Sequence, residues 1–152
     1  MTPDQTCFDF IEKHEGCKLT AYQDSANIWT IGYGTIIFED HTPVKQGDTI
    51  TQQRADQLLQ AEIAKKAASV NALILPVTLM QQQFNALVSF AYNVGTGALQ
   101  NSTLLKRVKA NPGDRSIRDA FMMWDKVHKD GQVVVVPGLA ARRKEEADLY
   151  FS

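Results

Sequence analysis

The sequence predicts an α+β fold, with a small N-terminal lobe built around a β-hairpin and a larger C-terminal helical lobe. Residue types typical of strands are concentrated between residues 17 and 38, whereas apolar residues recur at three- and four-residue steps from residue 51 onward. The length of 152 residues and the 44% of apolar residues are typical of one globular domain. We therefore expect a single domain over residues 1–152, with lobes at approximately 1–50 and 51–152 and a ligand cleft between them.

The first lobe is predicted to contain a short helix followed by a hairpin. Residues 3–14 have an amphipathic helical pattern, and Gly16 is a suitable residue to end that helix. Residues 17–38 are rich in Thr, Tyr, Ile and Trp, and the polar residues 24–27 interrupt them, which indicates two strands joined by a turn. Glu15 is therefore expected at the end of the helix.

The second lobe is predicted to be a series of helices. A long helix follows Thr49 or Thr51 as its N-cap and ends before Pro76. Thr78 is the expected N-cap of the next helix, which ends at residues 93–95. The remaining predicted elements are helices over residues 103–110, 114–124 and 137–149, and an extended stretch over residues 133–136 after a turn at 130–131.

The charge distribution gives little support for a nucleic-acid partner. The net charge is −1 and the sequence pI is about 6.3, far from the strongly basic values of nucleic-acid-binding domains. Residues 1–76 carry a net charge of −4 and residues 77–152 carry +3, so a polyanionic ligand would prefer the second half. The short basic cluster at 106–109 is typical of a solvated helix face, and we expect no nucleic-acid partner.

Membrane insertion is not expected either. No segment reaches the roughly 18 apolar residues that a transmembrane helix needs, and the first ten residues lack the basic and apolar regions of a signal peptide. We therefore expect synthesis in a reducing cytoplasm. Cys7 and Cys17 are expected as free thiols, with a disulfide between them as the alternative.

Several kinds of catalytic site are excluded by their spacing requirements. The histidines at 14, 41 and 128 have no metal-ligand spacing, and the sequence has no phosphate-binding glycine loop. A serine nucleophile elbow is also missing, and Cys17 has no basic partner by spacing. We therefore expect neither a metal nor a cofactor.

The N-terminal segment contains two acids in a useful arrangement. A carboxyl at the end of a helix, Glu15, and one in the turn of the following hairpin, Asp24, can face each other across a gap. Hydrolysis of a glycosidic bond uses such a pair, because one carboxylic acid protonates the leaving oxygen and a carboxylate activates water or supports the developing positive charge. Ordinary surface acids are the alternative explanation.

The spacing of Glu15, Asp24 and Thr30 resembles the catalytic signature of bacteriophage lysozymes, or endolysins, of glycoside hydrolase family 24. The segment E-G-x-x-L-x-A-Y-x-D-x-x-x-x-x-T-I-G-x-G is similar to theirs throughout. Residues 89–95 resemble the central helix of that family, and the similarity continues through residues 102–105 and 137–146, so it covers nearly the whole chain. It implies a lysozyme-like fold with the active site in the cleft.

The resemblance also implies a reaction. Family members hydrolyse the β-1,4 bond between N-acetylmuramic acid and N-acetylglucosamine in peptidoglycan. Glu15 matches the general acid, Asp24 the carboxylate that supports or activates water, and Thr30 the hydroxyl that positions this water. An inverting mechanism would require the two carboxyl groups to lie roughly 6.5–9.5 Å apart, whereas a separation of about 5–5.5 Å would make Asp24 a candidate nucleophile.

Four further residues match positions that contact the glycan in this family: Ile36, Tyr92, Asn93 and Thr103. Each has a structural alternative that does not involve a ligand. Ile36 is suitable for the core, residues 93–95 form an ordinary helix stop, and Thr103 can cap its helix.

The arginines near the C-terminus also have two interpretations. Arg142 or Arg143 could form a salt bridge with Glu15 across the cleft, or both could lie on a solvated helix face.

The implied partner is the glycan strand of peptidoglycan, bound by a monomer. Synthesis is expected in the host cytoplasm, with action on the wall in the periplasm after release through a phage-encoded pore. A non-catalytic glycan-binding or membrane-perturbing protein on the same scaffold is the alternative, since a fold does not by itself confer activity.

Overall fold

The computed structural model describes residues 1–152 and contains seven helices and two separate two-stranded antiparallel sheets, which confirms the α+β prediction. The elements in chain order are α1 (Gln5–Glu15), β1 (Lys18–Gln23), β2 (Trp29–Gly32), α2 (Gln52–Ile74), α3 (Gln81–Val94), α4 (Thr96–Asn101), α5 (Thr103–Ala110), α6 (Ile117–Met122), β3 (Lys126–Lys129), β4 (Gln132–Val135) and α7 (Pro137–Tyr150). None of the helices combines the length and the hydropathy that crossing a bilayer requires.

The chain forms two compact units. The hairpin unit comprises Phe8–Lys65, and the helical unit comprises Met1–Cys7 together with Lys66–Ser152. The hairpin unit contains β1 and β2, and the helical unit contains α3 to α7 with the second hairpin. The first seven residues of the chain therefore belong to the same unit as its last half.

In the hairpin unit, local sequence signals begin and end the elements as predicted. Gly16 follows α1 with φ of +65°, a left-handed conformation that glycine adopts without steric cost. Its N–H donates to the carbonyl of Glu12 at 3.2 Å, which completes the last turn of the helix. The hydroxyl of Thr51 accepts a hydrogen bond from the N–H of Arg54 at 3.1 Å, so Thr51 is the N-cap of α2.

The helical unit has its core around α3. Every residue of this helix from 83 to 91 is buried. The ring of Phe90 packs edge-on against Phe121 at a centroid distance of 5.8 Å and against Trp124 at 5.6 Å. Such perpendicular ring contacts are favoured by the aromatic quadrupole and add to the apolar area that they bury.

The start of α3 differs from the prediction. The helix begins at Gln81, not after Thr78, and Met80 is its N-cap in an extended conformation. The side-chain oxygen of Gln83 accepts a hydrogen bond from the N–H of Met80 at 2.9 Å. Gln83 in the first turn thus satisfies the free N–H of the cap residue, which is one half of a capping box.

The end of α3 matches the prediction, but the helix that follows was missed. Gly95 ends α3 with φ of 97°, and α4 begins at once. The side chain of Ser102 then caps α5 by accepting a hydrogen bond from the N–H of Leu105 at 3.0 Å. Thr103 is thus the first helical residue, and its predicted alternative role as an N-cap is wrong.

The N-terminal segment Met1–Cys7 is tied to the helical unit by polar contacts. The terminal amine of Met1 donates to the side-chain oxygen of Asn71 at 2.9 Å. The side-chain amide of Asn85 donates to the carboxylate of Asp4 at 2.7 Å. These bonds join residues that are 70 or more positions apart in the sequence.

The second hairpin projects its residues to solvent. Strands β3 and β4 pair in regular antiparallel register from Lys126–Val135 to Lys129–Gln132, and every residue of both strands is exposed. The predicted extended stretch at 133–136 and the turn before it are confirmed by this hairpin. Asp130 and Gly131 form the turn with positive φ values of 51° and 75°.

Candidate active site

The three predicted catalytic residues all lie in the hairpin unit. Glu15 is the last residue of α1 and is half-buried, and Asp24 follows β1 directly and is also half-buried. Thr30 lies in β2, where it pairs with Tyr22, and is only 4% exposed. The helix end and the hairpin predicted from the sequence therefore hold these side chains.

The carboxylate of Glu15 lies close to the chain that leaves β2. A Cβ atom added to Gly34 would lie 4.0 Å from Oε2 of Glu15. Gly34 has φ of 95°, a conformation that disfavours residues with a side chain. A glycine therefore suits this position by its backbone conformation.

Asp24 organises the turn between the two strands. Its Oδ1 accepts hydrogen bonds from the N–H groups of Ala26 at 2.8 Å and Ile28 at 2.9 Å. This is the local side-chain-to-backbone pattern that makes aspartate common in turns. Because Oδ1 carries both turn contacts, Oδ2 is the oxygen that remains for a ligand.

Thr30 is also hydrogen-bonded to the backbone of Ile28. Its hydroxyl donates to the carbonyl of Ile28 at 2.9 Å. A hydroxyl has one hydrogen and two lone pairs, so Oγ1 can act toward a ligand only as a hydrogen-bond acceptor. Asp24 and Thr30 are thus both anchored on Ile28, and each retains acceptor capacity.

A polar cluster lies two residues beyond Glu15 and was missed by the sequence analysis. The amide of Gln52 donates to the hydroxyl of Tyr33 at 3.0 Å and to the carboxylate of Asp56 at 2.7 Å. Burial raises the pKa of the Cys17 thiol, although hydrogen bonds with Gln52 and Tyr33 oppose this rise. The residues of the cluster are separated by up to 39 positions, so no local sequence pattern indicates it.

Both cysteines are free thiols, as predicted. Cys7 is fully buried, and burial raises the pKa of its thiol to about 12. Cys17 is half-buried.

The four predicted glycan contacts are divided between the two units. Ile36 lies in the hairpin unit and is 43% exposed, so the alternative that it belongs to the core is wrong. Tyr92 and Asn93 lie in the last turn of α3, and Thr103 opens α5, all in the helical unit. Asn93 is exposed, and the other two are half-buried.

The two arginines of α7 are part of the core, which corrects the prediction of a solvated face. Arg142 is 4% exposed and Arg143 is fully buried. Both form ion pairs with the fully buried Glu146, at 3.2 Å from Nε of Arg142 and at 2.9 Å from Nε of Arg143. Buried charges are tolerated when they are paired in this way.

Polar side chains of α3 complete this buried cluster. The hydroxyl of Ser89 donates to Oε1 of Glu146 at 2.7 Å, and Nη2 of Arg143 donates to Oδ1 of Asn93 at 2.8 Å. Burial raises the pKa of the Glu146 carboxyl, an effect that the charges of Arg143 and Arg142 oppose. The cluster therefore links the core of the helical unit to a predicted glycan contact.

Comparison with known proteins gives consistent matches over most of the chain. The profile of the family described as phage lysozyme matches residues 12–146. The endolysin of Acyrthosiphon pisum secondary endosymbiont phage 1 is 42% identical over 144 residues, which are 93% of this chain and 92% of that protein.

Solved structures agree. The endolysin from Escherichia coli O157:H7 phage FAHEc1 superposes with a TM-score of 0.91 at 43% identity, covering 99% of this chain and 93% of that one. The muramidase domain of SpmX from Asticaccaulis excentricus gives a TM-score of 0.86 at 31% identity, covering 98% and 97%. By sequence and by lysozyme-like fold, the chain belongs to the phage lysozyme family and is a glycoside hydrolase.

Proposed function

We propose that this protein is an endolysin that hydrolyses the β-1,4 bond between N-acetylmuramic acid and N-acetylglucosamine in peptidoglycan. The observation that carries the proposal is the anchoring of Asp24 and Thr30 on Ile28, which leaves each side chain with acceptor capacity for a water molecule. Relatives named endolysin and muramidase support the same chemistry.

Glu15 is the general acid of the proposed reaction. Its protonated carboxyl transfers a proton to the bridging oxygen as the bond from that oxygen to the anomeric carbon breaks. The half-buried position of Glu15 suits this role, because a partly desolvated carboxyl that still reaches the surface can meet a sugar oxygen.

Asp24 and Thr30 position the attacking water. Both offer acceptors, so the water donates one hydrogen to Oδ2 of Asp24 and the other to Oγ1 of Thr30. This arrangement leaves a lone pair of the water oxygen free to attack the anomeric carbon. Asp24 takes the proton released as the new C–O bond forms, and attack from the face opposite to the leaving group inverts the anomeric centre.

Ile36, Tyr92, Asn93 and Thr103 are the proposed contacts for the glycan strand. Ile36 supplies an exposed apolar surface for a sugar face, and Tyr92 supplies an aromatic one. Asn93 and Thr103 supply polar groups at the end of α3 and the start of α5.

The biological role we propose is lysis of the host. The protein would act as a monomer that is made in the cytoplasm and reaches the periplasmic wall through a phage-encoded pore.

The substitution Glu15→Gln tests the general acid. It keeps the size of the side chain and removes the transferable proton, so we expect turnover of purified cell walls to fall by about 10²–10⁴-fold. The reaction is followed by turbidity and by the appearance of new reducing ends. Glu12→Gln, on the same helix, is the matched control and should retain wild-type turnover. Wild-type activity of Glu15→Gln would exclude the mechanism, and wall binding without new reducing ends by the wild type would exclude the activity.

A further inference from the structure

The side chain of Asn93 is held from one side by a buried arginine. Asn93 is exposed at the end of α3, and its Oδ1 accepts a hydrogen bond of 2.8 Å from Nη2 of Arg143. Arg143 is fully buried, so this contact connects a rigid core residue to a surface amide.

The chemistry of arginine determines which way this amide faces. A guanidinium has only donors and no acceptor, so the atom of Asn93 that faces it must be the carbonyl oxygen. The NH₂ group is then on the other side of the carboxamide, away from Arg143. Because Asn93 is exposed, the two N–H donors of this group can reach a ligand.

Arg143 itself has little freedom to move. Its Nε lies 2.9 Å from Oε2 of Glu146, and its guanidinium lies over the ring of Phe90 at 5.0 Å from the centroid. Glu146 is held in turn by the hydroxyl of Ser89 at 2.7 Å. A guanidinium held by an ion pair, a hydrogen bond and a ring contact has few accessible rotamers, so Arg143 is a fixed point of contact for Asn93.

We propose that Arg143 is a positioning residue that holds the Asn93 carboxamide as a hydrogen-bond donor toward the glycan and so favours N-acetylated sugars. The inference rests on the proposed function and extends it to specificity. The carbonyl oxygen of an acetamido group is an acceptor that these N–H donors can meet. A de-N-acetylated amino sugar presents an ammonium group instead, which has only donors and leaves the amide unsatisfied.

The experiment compares two substrates, purified cell walls and the same walls after enzymatic N-deacetylation. The measured quantity is the ratio of kcat/KM on the two substrates, from the initial rate of new reducing ends. We expect the wild type to prefer the acetylated walls by about tenfold, the effect of one hydrogen bond. This ratio is insensitive to a general loss of folded protein.

Two variants separate the role of the Asn93 donors from the role of Arg143 in positioning them. Asn93→Asp keeps an oxygen toward Arg143 but replaces the donors with an acceptor, so it should reverse the preference toward deacetylated walls. Arg143→Lys retains the positive charge but lacks the planar guanidinium with its several donors. The Asn93 amide should then be free to rotate, and the preference for acetylated walls should fall to near unity. Lys144→Gln, an exposed neighbour on α7, is the matched control and should keep the wild-type ratio.

The possible results test the specificity inference, the role of Arg143 and the proposed function separately. No preference in the wild type, or an unchanged ratio in Asn93→Asp, would overturn the inference. A folded Arg143→Lys enzyme with the wild-type ratio would remove Arg143 from it, and if that variant does not fold, Asn93→Asp still tests the donor. New reducing ends missing from both substrates with the wild type would contradict the proposed function itself.

Discussion

Ile28 shows how a residue without reactive groups can organise a candidate active site. Its N–H donates to Asp24 and its carbonyl accepts from Thr30, so the backbone of one turn residue sets both side chains. Neither bond depends on the Ile28 side chain, which is exposed. The positions of Asp24 and Thr30 therefore depend on turn geometry more than on the packing of apolar groups.

The two hydrogen-bonding abilities of the Thr30 hydroxyl lead to a graded prediction. Thr30→Ser keeps the donor to Ile28 and the acceptor for water, and we expect activity within a few-fold of the wild type. Thr30→Val keeps the shape but removes both, which should lower kcat by about tenfold or more and stability by about 1–3 kcal/mol. The measurements are initial rates on cell walls and urea unfolding. Equal kcat values for the two variants would remove the hydroxyl from the mechanism.

The two cysteines should react very differently with a thiol reagent. The pKa of Cys7 is raised to about 12, and that of Cys17 is also raised, so both thiols stay protonated at pH 8. Since the thiolate is the reactive form, we expect the half-buried Cys17 to react slowly and Cys7 only after unfolding. Titration with Ellman's reagent at pH 8 should find one thiol in the native protein and two in guanidinium chloride. Fast reaction of both native thiols would contradict this.

At the scale of the element, the turn between β1 and β2 depends on the same side chain that is proposed to act on water. Asp24→Asn retains an oxygen that can accept from Ala26 and Ile28, whereas Asp24→Ala retains none. We expect both variants to lose wall hydrolysis, because neither has the carboxylate. Only Asp24→Ala should also lose stability, by about 1–2 kcal/mol, as measured by thermal unfolding. Equal stability of the two would show that the turn forms without this acceptor.

Helix ends were predictable where the signal is a nearby residue with one strong preference. Gly16, Gly95 and Pro137 end or begin helices as expected, because a left-handed φ or a fixed φ is a property of the residue itself. The start of α3 was not predictable in this way. Its cap comes from Gln83, whose buried side chain also donates to the carbonyl of Pro112, a contact between distant parts of the chain.

The candidate site also contains a part that local sequence predicts and a part that depends on contacts between distant residues. Glu15, Asp24 and Thr30 lie within 16 residues, and their hairpin could be read from local residue types. The bond from Arg143 to Asn93 joins residues 50 positions apart on two helices. Periodicity predicted both helices but could not show that Arg143 is turned toward the core, because a charged side chain is ordinarily placed on the solvated face.

At the scale of the whole molecule, local stability should differ strongly between elements. Residues 83–91 of α3 are all buried, whereas β3 and β4 are exposed along their whole length. Opening the second hairpin exposes little apolar surface, so its amides should exchange with deuterium at least about 100-fold faster than those of α3. Hydrogen exchange followed by mass spectrometry measures this. Comparable protection in the two elements would show that another contact stabilises the hairpin.

The placement of Met1–Cys7 in the helical unit has a consequence for synthesis. A nascent chain that has emerged as far as Lys65 contains every residue of the hairpin unit, so that unit can fold while translation continues. Residues 1–7 must wait, since Asp4 has to find Asn85, which is 81 positions further along the chain. The segment Met1–Cys7 therefore leaves the ribosome before the hairpin unit but reaches its native contacts after it.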